Sequence, residues 1–206
     1  MRKISRPPKP KVLDENSARW NEQWKKLKTE NPGAQFNWYK LEGKSAREWI
    51  LADLSAMTQE HCAFCDRYTV EPDSIEHFRP KSDSRFLHLA YEWENLFYCC
   101  GGCQKEKGEQ WDDGLINPDA DDYSCRRYFI FDWSTGEMSP NPKSSLADQA
   151  RAATTIRIYG LNTENRRRFR LIALREWQRS PGMSVDASPY RDFVEDPTAS
   201  GRFEAS

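Results

Sequence analysis

The sequence has no long apolar run. No stretch approaches the roughly 20 apolar residues that a membrane helix needs, and the basic opening, MRKISRPPKPKV, lacks the apolar stretch of a secretory signal. We therefore expect a cytoplasmic protein with no membrane segment. In a reducing compartment cysteines seldom form structural disulfides, so cysteines at CxxC spacing are better interpreted as metal ligands.

The chain also lacks an excess of charge of either sign. It has 31 Lys and Arg residues against 32 Asp and Glu, for a formal net charge of −1, which argues against binding nucleic acid through overall positive charge. Charge is segregated, because residues 1–12 carry five cations and no acid whereas residues 106–122 carry seven acids. Any contact with nucleic acid should therefore be local.

Hydrophobic residues make up only 37% of the 206 residues, but large ones are frequent, with eight Trp, ten Phe and eight Tyr. A few large side chains should therefore supply much of the buried surface. The length fits one domain of ordinary size. The chain has no internal repeat and no GxxxxGK[ST] motif of a P-loop ATPase.

Periodicity divides the chain into three parts. Residues 1–59 are predicted to hold a Pro-rich extended arm, a helix over about 14–30 and a second helix that starts at the capping box Ser45-Ala-Arg-Glu48. Residues 60–180 form the central domain, with strands around 75–78 and 127–131, a helix near Cys100, and helices over about 145–159 and 163–179. Residues 181–206 are polar and aperiodic, which predicts a flexible tail or, less favourably, a partner-docking peptide.

Two CxxC pairs carry the clearest chemical signal. Cys62 and Cys65 form the first pair, and Cys100 and Cys103 the second, with 34 residues between the pairs. Two such pairs supply the tetrahedral four-sulfur shell that zinc prefers. A zinc site that serves only the fold is one interpretation, and Cys99 is an alternative ligand to Cys100. Cys125 is expected to be a buried thiol.

The residues between and after the pairs contain further motifs: IEHFRPKS at 75–82, YEWENL at 91–96 and CQKEK at 103–107. Together with CxFC at 62–65, LINP at 115–118 and TIRIYGLN at 155–162, they resemble HNH endonucleases of the CxxC zinc type. The finer pattern is similar to the HNH subunit of Septu-type and retron-associated anti-phage systems, over about residues 60–175. The resemblance implies an α+β protein with a zinc-braced ββα-metal core flanked by N- and C-terminal helices.

His77 is the expected general base of such a site. An imidazole with an unperturbed pKa near ~6.5 can accept a proton near neutral pH, and His77 alone among the three histidines follows an acid between the cysteine pairs. The carboxylate of Glu76 suits Mg²⁺ or Mn²⁺, and in the family the corresponding acid holds the catalytic metal. Adjacent strand residues point to opposite faces, so the two share a site only if the strand ends or twists there. Pro80 permits this.

Three further residues match the family's layout. The resemblance assigns Asn95 to orienting the histidine or shaping the site, and the ammonium of Lys107 is a candidate phosphate contact, with a surface lysine as the alternative. Gln104 departs from the pattern, because relatives carry Asn or His there as metal ligand. Its amide oxygen is also a possible ligand, on a stem one methylene longer; Glu106 and Asp113 are alternatives.

Four cations are candidate nucleic-acid contacts. Arg79 and Lys81 lie beside His77 in sequence, within reach of a scissile phosphate. Arg168 and Arg175, with Arg179, fall on one face of the last predicted helix, where they form either a phosphate-binding stripe or a solvated surface.

The resemblance implies partners as well as a reaction. HNH subunits of these defence systems act on DNA together with a regulatory ABC/SMC-type ATPase, and retron versions add a reverse transcriptase. We therefore expect a DNA endonuclease with structural Zn²⁺ and catalytic Mg²⁺ or Mn²⁺. The alternative is a catalytically silent zinc module that binds nucleic acid or a protein partner.

Overall fold

The computed structural model describes residues 1–68 and 73–196. Within these residues the fold is mixed α and β, with helices around three separate two-stranded antiparallel sheets. The strands are β1 (Lys40–Leu41), β2 (Lys44–Ser45), β3 (Asp73–His77), β4 (Leu96–Cys100), β5 (Phe129–Asp132) and β6 (Glu137–Pro140). The α-helices are α1 (Lys11–Glu30), α2 (Ala46–Met57), α3 (Gly101–Lys107), α4 (Cys125–Tyr128), α5 (Leu146–Ile158), α6 (Glu164–Arg179) and α7 (Arg191–Val194). None of the helices in the described ranges is long and apolar enough to span a membrane.

The two N-terminal helices form where the sequence predicts them. The capping box is confirmed, since Ser45 N donates to the Glu48 carboxylate at 2.6 Å and Ser45 Oγ accepts from Glu48 N at 3.3 Å. Helix α1 begins at Lys11, three residues earlier than predicted, because the carbonyl of Pro10 accepts from Leu13 N and Asp14 N. The predicted helices near 145–159 and 163–179 are also confirmed, as α5 and α6.

Strands β3 and β4 form an antiparallel hairpin in the middle of the molecule, with Glu76 opposite Phe97 and His77 opposite Leu96. Side chains alternate between the faces of a strand, and both faces of this hairpin are buried. Leu96 packs in a core with the tryptophans of α1 and with α2. Phe97 packs in a second core that contains the paired cysteines. Helix α3 begins directly after β4.

The segments at both ends of the described chain pack on this framework. Ile4 is buried in the basic arm, and Arg6 donates to the carboxylate of Asp119 at 2.5 Å and to the carbonyl of Trp93 at 2.6 Å. Of the five cations in the arm, Lys3 and Lys11 are exposed, whereas Arg2, Arg6 and Lys9 are partly buried.

Residues 181–196, which belong to the region predicted as a flexible tail, contain α7 and contact the rest of the protein. Arg191 lies against the first cysteine pair and donates to the buried carboxylate of Asp66 at 2.6 Å, and Phe193 is buried. A buried, hydrogen-bonded guanidinium–carboxylate pair and an aromatic anchor together hold this segment in place. The rest of the predicted tail, residues 197–206, lies outside the described residues.

Candidate functional site

The four predicted cysteines come together in one buried cluster. The Sγ atoms of Cys62, Cys65, Cys100 and Cys103 all lie within 4.8 Å of one another, and the Cys65 and Cys100 sulfurs are 3.7 Å apart. A tetrahedral zinc ion with Zn–S bonds of about 2.3 Å separates its sulfur ligands by about 3.8 Å. The donor set and its spacing therefore fit a zinc ion.

Local structure explains how each pair reaches the cluster. The first pair lies in a tight turn in which Asp66 N donates to the carbonyl of Cys62 at 2.9 Å and Cys62 N donates to that of Arg67 at 2.8 Å. The second pair spans the start of α3, where Cys100 is the N-cap and its sulfur accepts from Cys103 N at 3.4 Å. The zinc-type cluster thus fixes the end of β4 and the first turn of α3.

The other two thiols lie outside the four-sulfur group. The thiol of Cys99 donates to the carbonyl of Cys100 at 3.3 Å, and burial raises its pKa well above the ordinary value. It is therefore Cys100 that joins the group. Burial likewise raises the pKa of the Cys125 thiol, and Cys125 is buried as predicted.

A buried arginine from α6 adds positive charge beside the cluster. Arg166 is only 8% exposed. Burial lowers the pKa of its guanidinium, but attraction to negative charge on the nearby sulfurs of Cys103, Cys65, Cys100 and Cys62 outweighs that effect and leaves the pKa raised. A permanently charged group here would offset part of the negative charge of a tetrathiolate zinc centre.

His77 is the last residue of β3, and its ring is held in one orientation. Nε2 lies 2.9 Å from the carbonyl oxygen of Ala90, so Nε2 carries the hydrogen and Nδ1 of the neutral ring is an acceptor. Burial, followed by the positive charge of Lys81, lowers the pKa of His77 well below its ordinary value. The imidazole is consequently neutral at pH 7.

Two aromatic side chains cover His77. Trp38 stacks on the imidazole with ring centroids 5.4 Å apart and planes at 25°, and Phe36 approaches edge-on at 5.2 Å. His77 itself is only 5% exposed. Neither aromatic residue was predicted to belong to the site, although the aromatic-rich run Phe36-Asn-Trp-Tyr39, which follows Pro32-Gly33 after two intervening residues, was a visible signal.

Glu76 lies on the opposite face of the hairpin from His77, because β3 continues in register to its last residue. The ammonium of Lys107 donates to the Glu76 carboxylate at 2.6 Å and to the carbonyl of His77 at 3.0 Å. Lys107 is fully buried and Glu76 is 4% exposed. The ammonium of Lys107 is therefore bound inside the molecule, and the Glu76 side chain contacts Lys107 rather than the His77 ring.

Gln104 lies on α3, the helix that ends at Lys107. Its amide nitrogen donates to the carbonyl of Ile75 at 3.0 Å, on the same strand as Glu76. Apart from the four cysteines, no group of three or more His, Cys, Asp or Glu side chains within residues 1–68 and 73–196 is close enough to share an ion. As placed, Glu76 and Gln104 do not form an open divalent-metal site, and their role as ligands stays a prediction.

Asn95 holds together the loop that follows His77. Its side-chain oxygen accepts from Arg79 N at 2.7 Å, and its side-chain nitrogen donates to the carbonyls of Arg79 at 3.1 Å and Leu89 at 2.9 Å. This loop delivers the Ala90 carbonyl that orients His77. The contacts are consistent with a shaping role for Asn95.

The four predicted nucleic-acid contacts occupy two regions. The exposed guanidinium of Arg79 lies 5.4 Å from the centroid of the Trp111 ring, and Lys81 Nζ lies 5.5 Å from the Phe36 centroid and 4.0 Å from Glu109. Arg168 and Arg175 are exposed on α6, a helix that packs on α7. Only Arg79 and Lys81 belong to the surroundings of His77.

The site thus defines the protein, at the level that its geometry supports, as a mixed α/β protein with a buried four-cysteine cluster of zinc-binding type. No family model matches the chain, and no curated protein is significantly similar to it. The HNH resemblance therefore depends on the motifs themselves.

Proposed function

We propose that this protein is an HNH endonuclease that hydrolyses DNA phosphodiester bonds, with His77 as general base. The observation that carries the proposal is the orientation of His77. Its Nε2 is anchored on a backbone carbonyl and its Nδ1 is left as an acceptor, at the end of a β-hairpin whose following helix starts at the cysteine cluster.

The chemistry requires a base for water and positive charge near the phosphate. A neutral imidazole can accept a proton from the attacking water through Nδ1 while Ala90 holds Nε2, and it can later return that proton to solvent. Lys81 supplies the positive charge, since its ammonium lies 5.5 Å from the centroid of the Phe36 ring, which itself contacts the ring of His77. Arg79 is the second candidate for a phosphate contact.

The proposal includes a catalytic Mg²⁺ or Mn²⁺, which would stabilise charge on the phosphate and on the leaving 3′ oxygen. The described side chains do not fit an open site for this ion, because Lys107 occupies the Glu76 carboxylate. His77 and Lys81 therefore carry the proposal, and the divalent requirement is a matter for experiment.

The motif resemblance extends the proposal to a biological setting. We propose that the chain acts as the nuclease subunit of an anti-phage system with an ABC/SMC-type ATPase, and in retron versions with a reverse transcriptase. An ATPase gene next to the gene for this chain would support that setting.

The test is plasmid cleavage by the purified chain, alone and with the neighbouring ATPase, in Mg²⁺ or Mn²⁺. We expect His77→Ala to reduce the cleavage rate by about 10²- to 10⁴-fold while zinc content and circular dichroism stay unchanged. His88→Ala, at an exposed histidine, is the matched control and should cleave normally. Wild-type cleavage by a folded, zinc-loaded His77→Ala protein would overturn the mechanism.

A catalytically silent zinc module is the second candidate, and specific contacts favour it. The Glu76 carboxylate is closed by Lys107, and the imidazole of His77 is covered by Trp38. Binding of DNA or protein that does not depend on divalent ions, without cleavage in the presence or absence of the ATPase, would favour this module over the enzyme.

A further inference from the structure

The covering of His77 comes from a segment with little regular structure. Residues 31–39 connect α1 to β1, and side chains hold their backbone at two points. Lys28 Nζ donates to the carbonyl of Ala34 at 3.0 Å, and the Tyr91 hydroxyl donates to the carbonyl of Asn37 at 3.0 Å and accepts from Tyr39 N at 3.0 Å. Phe36 and Trp38 are thus presented between two fixed points.

The rings of Phe36 and Trp38 form a pair at the surface. Their centroids are 5.1 Å apart with planes at 82°, and both side chains are only half-buried, whereas Trp20, Trp24 and Tyr91 of the adjacent core are buried. Both residues are therefore partly accessible to solvent beside the candidate base. Two partly exposed aromatic rings held in a fixed relation can stack on a flat ligand.

Positive charge lies next to these rings. Lys81 Nζ is 5.5 Å from the Phe36 centroid, and the backbone of Lys81 is fixed because its carbonyl accepts from the Trp24 indole at 2.8 Å. Surfaces that combine aromatic rings with nearby cations bind single-stranded nucleic acid, through base stacking and phosphate attraction.

We propose that Phe36, Trp38 and Lys81 bind an unpaired nucleotide of single-stranded DNA next to His77. The bases of a duplex are stacked on each other, so the ring faces that Trp38 could contact are free only in an unpaired strand. Because one face of the Trp38 indole lies on His77, a nucleotide stacked on the other face would lie next to the candidate base, with the ammonium of Lys81 near its phosphate. The biological role of this binding site rests on the proposed nuclease function, but the binding itself can be tested without cleavage.

The test is a binding measurement without cleavage. Fluorescence anisotropy is recorded for wild-type protein, with zinc but no added Mg²⁺ or Mn²⁺, against labelled dT12 and a 12-base-pair duplex, and a gel verifies that the probes stay intact. We expect tighter binding of dT12 than of the duplex, and roughly tenfold weaker dT12 binding by Trp38→Ala. Trp49→Ala is the matched control, since Trp49 is an exposed tryptophan with a lysine, Lys44, 5.0 Å from its ring. It should bind like wild type.

A second measurement avoids variants that fail to fold. dT12 with 5-iodouracil at its centre is photo-crosslinked to wild-type protein, and we expect the crosslink in the peptide that contains residues 36–38. Preference for the duplex, equal weakening by Trp38→Ala and Trp49→Ala, or crosslinks confined to other peptides would overturn the inference. If dT12 binds through Trp38 but no condition gives cleavage, the inference stands and the nuclease proposal fails; cleavage without Trp38-dependent binding gives the reverse result.

Discussion

The ammonium of Lys107 lies 2.6 Å from the carboxylate of Glu76, and both side chains are almost entirely buried. Lys107 ends α3, and Glu76 lies in β3, so the contact fastens the helix to the hairpin. The same ammonium donates to the carbonyl of His77. The sequence left Lys107 either as a candidate phosphate contact or as a surface lysine, whereas the structure buries its ammonium against Glu76.

Removing one partner of this pair should destabilise the protein strongly. We expect Lys107→Met to lower the free energy of unfolding by about 3 kcal/mol, because Glu76 then lacks its buried partner. The double variant Glu76→Gln, Lys107→Met should recover part of that loss. Urea unfolding measures both, with Lys105→Met, at an exposed lysine of the same helix, as control. Equal stability of Lys107→Met and Lys105→Met would contradict the burial of the pair.

The stability of the protein should depend on pH through Glu76. Burial raises the pKa of its carboxyl group to about 7, against the opposing effect of Lys107. The pKa of Glu76 is therefore higher in the folded protein than in the unfolded chain. Its contribution to the free energy of unfolding is fully present below about pH 4.5 and declines as the pH rises to about 7. From pH 5.5 to 7.5 we expect wild type to lose about 2 kcal/mol more than Glu76→Gln. Parallel curves of unfolding free energy against pH would refute this prediction.

Zinc should bind to four specific cysteines and to no others. Cys→Ser substitution at any of Cys62, Cys65, Cys100 or Cys103 should abolish stoichiometric zinc, because structural sites require the full tetrahedral shell. Cys99→Ser and Cys125→Ser should retain about one zinc per chain. Elemental analysis of the purified variants measures this, and loss of zinc from Cys99→Ser with retention in Cys100→Ser would exchange the two assignments.

The turn between β5 and β6 offers a test of packing. Gly136 has φ of 71°, and a Cβ atom there would collide with the carbonyl of Arg167. Gly43 has φ of 81° but nothing near the same position. We expect Gly43→Ala to cost about 1 kcal/mol from backbone strain alone, and Gly136→Ala to cost about 2 kcal/mol more. Thermal unfolding of the two variants compares them, and equal losses would show that the turn yields to the added methyl group.

The sequence predicted the features that depend on local pattern. The CxxC spacing identified the four clustered cysteines, and the capping box identified the start of α2. Because side chains alternate along a strand, the sequence also predicted that Glu76 and His77 would share a site only if β3 ended or twisted there. The strand keeps its regular register through His77, so the two side chains lie on opposite faces.

Features set by contacts between distant residues were out of reach. The segment at 181–196 is polar and aperiodic, and it gives no sign that Arg191 pairs with Asp66, 125 positions earlier. The burial of Lys107 depends likewise on Glu76, 31 positions away. Neither pair can be predicted from the residues next to Arg191 or Lys107, because a contact between distant positions produces no periodic pattern in the local sequence.

Contacts between residues that lie far apart in the sequence constrain how the protein folds. Ile4 N donates to the carbonyl of Pro118, and Arg2 meets Glu195 at 3.4 Å. Residues 2–4 are synthesised long before their partners Pro118 and Glu195, and Asp66 is synthesised long before Arg191. The contact between Asp66 and Arg191, next to the first cysteine pair, can therefore form only after residue 191 has been synthesised, and contacts of such long sequence separation slow folding.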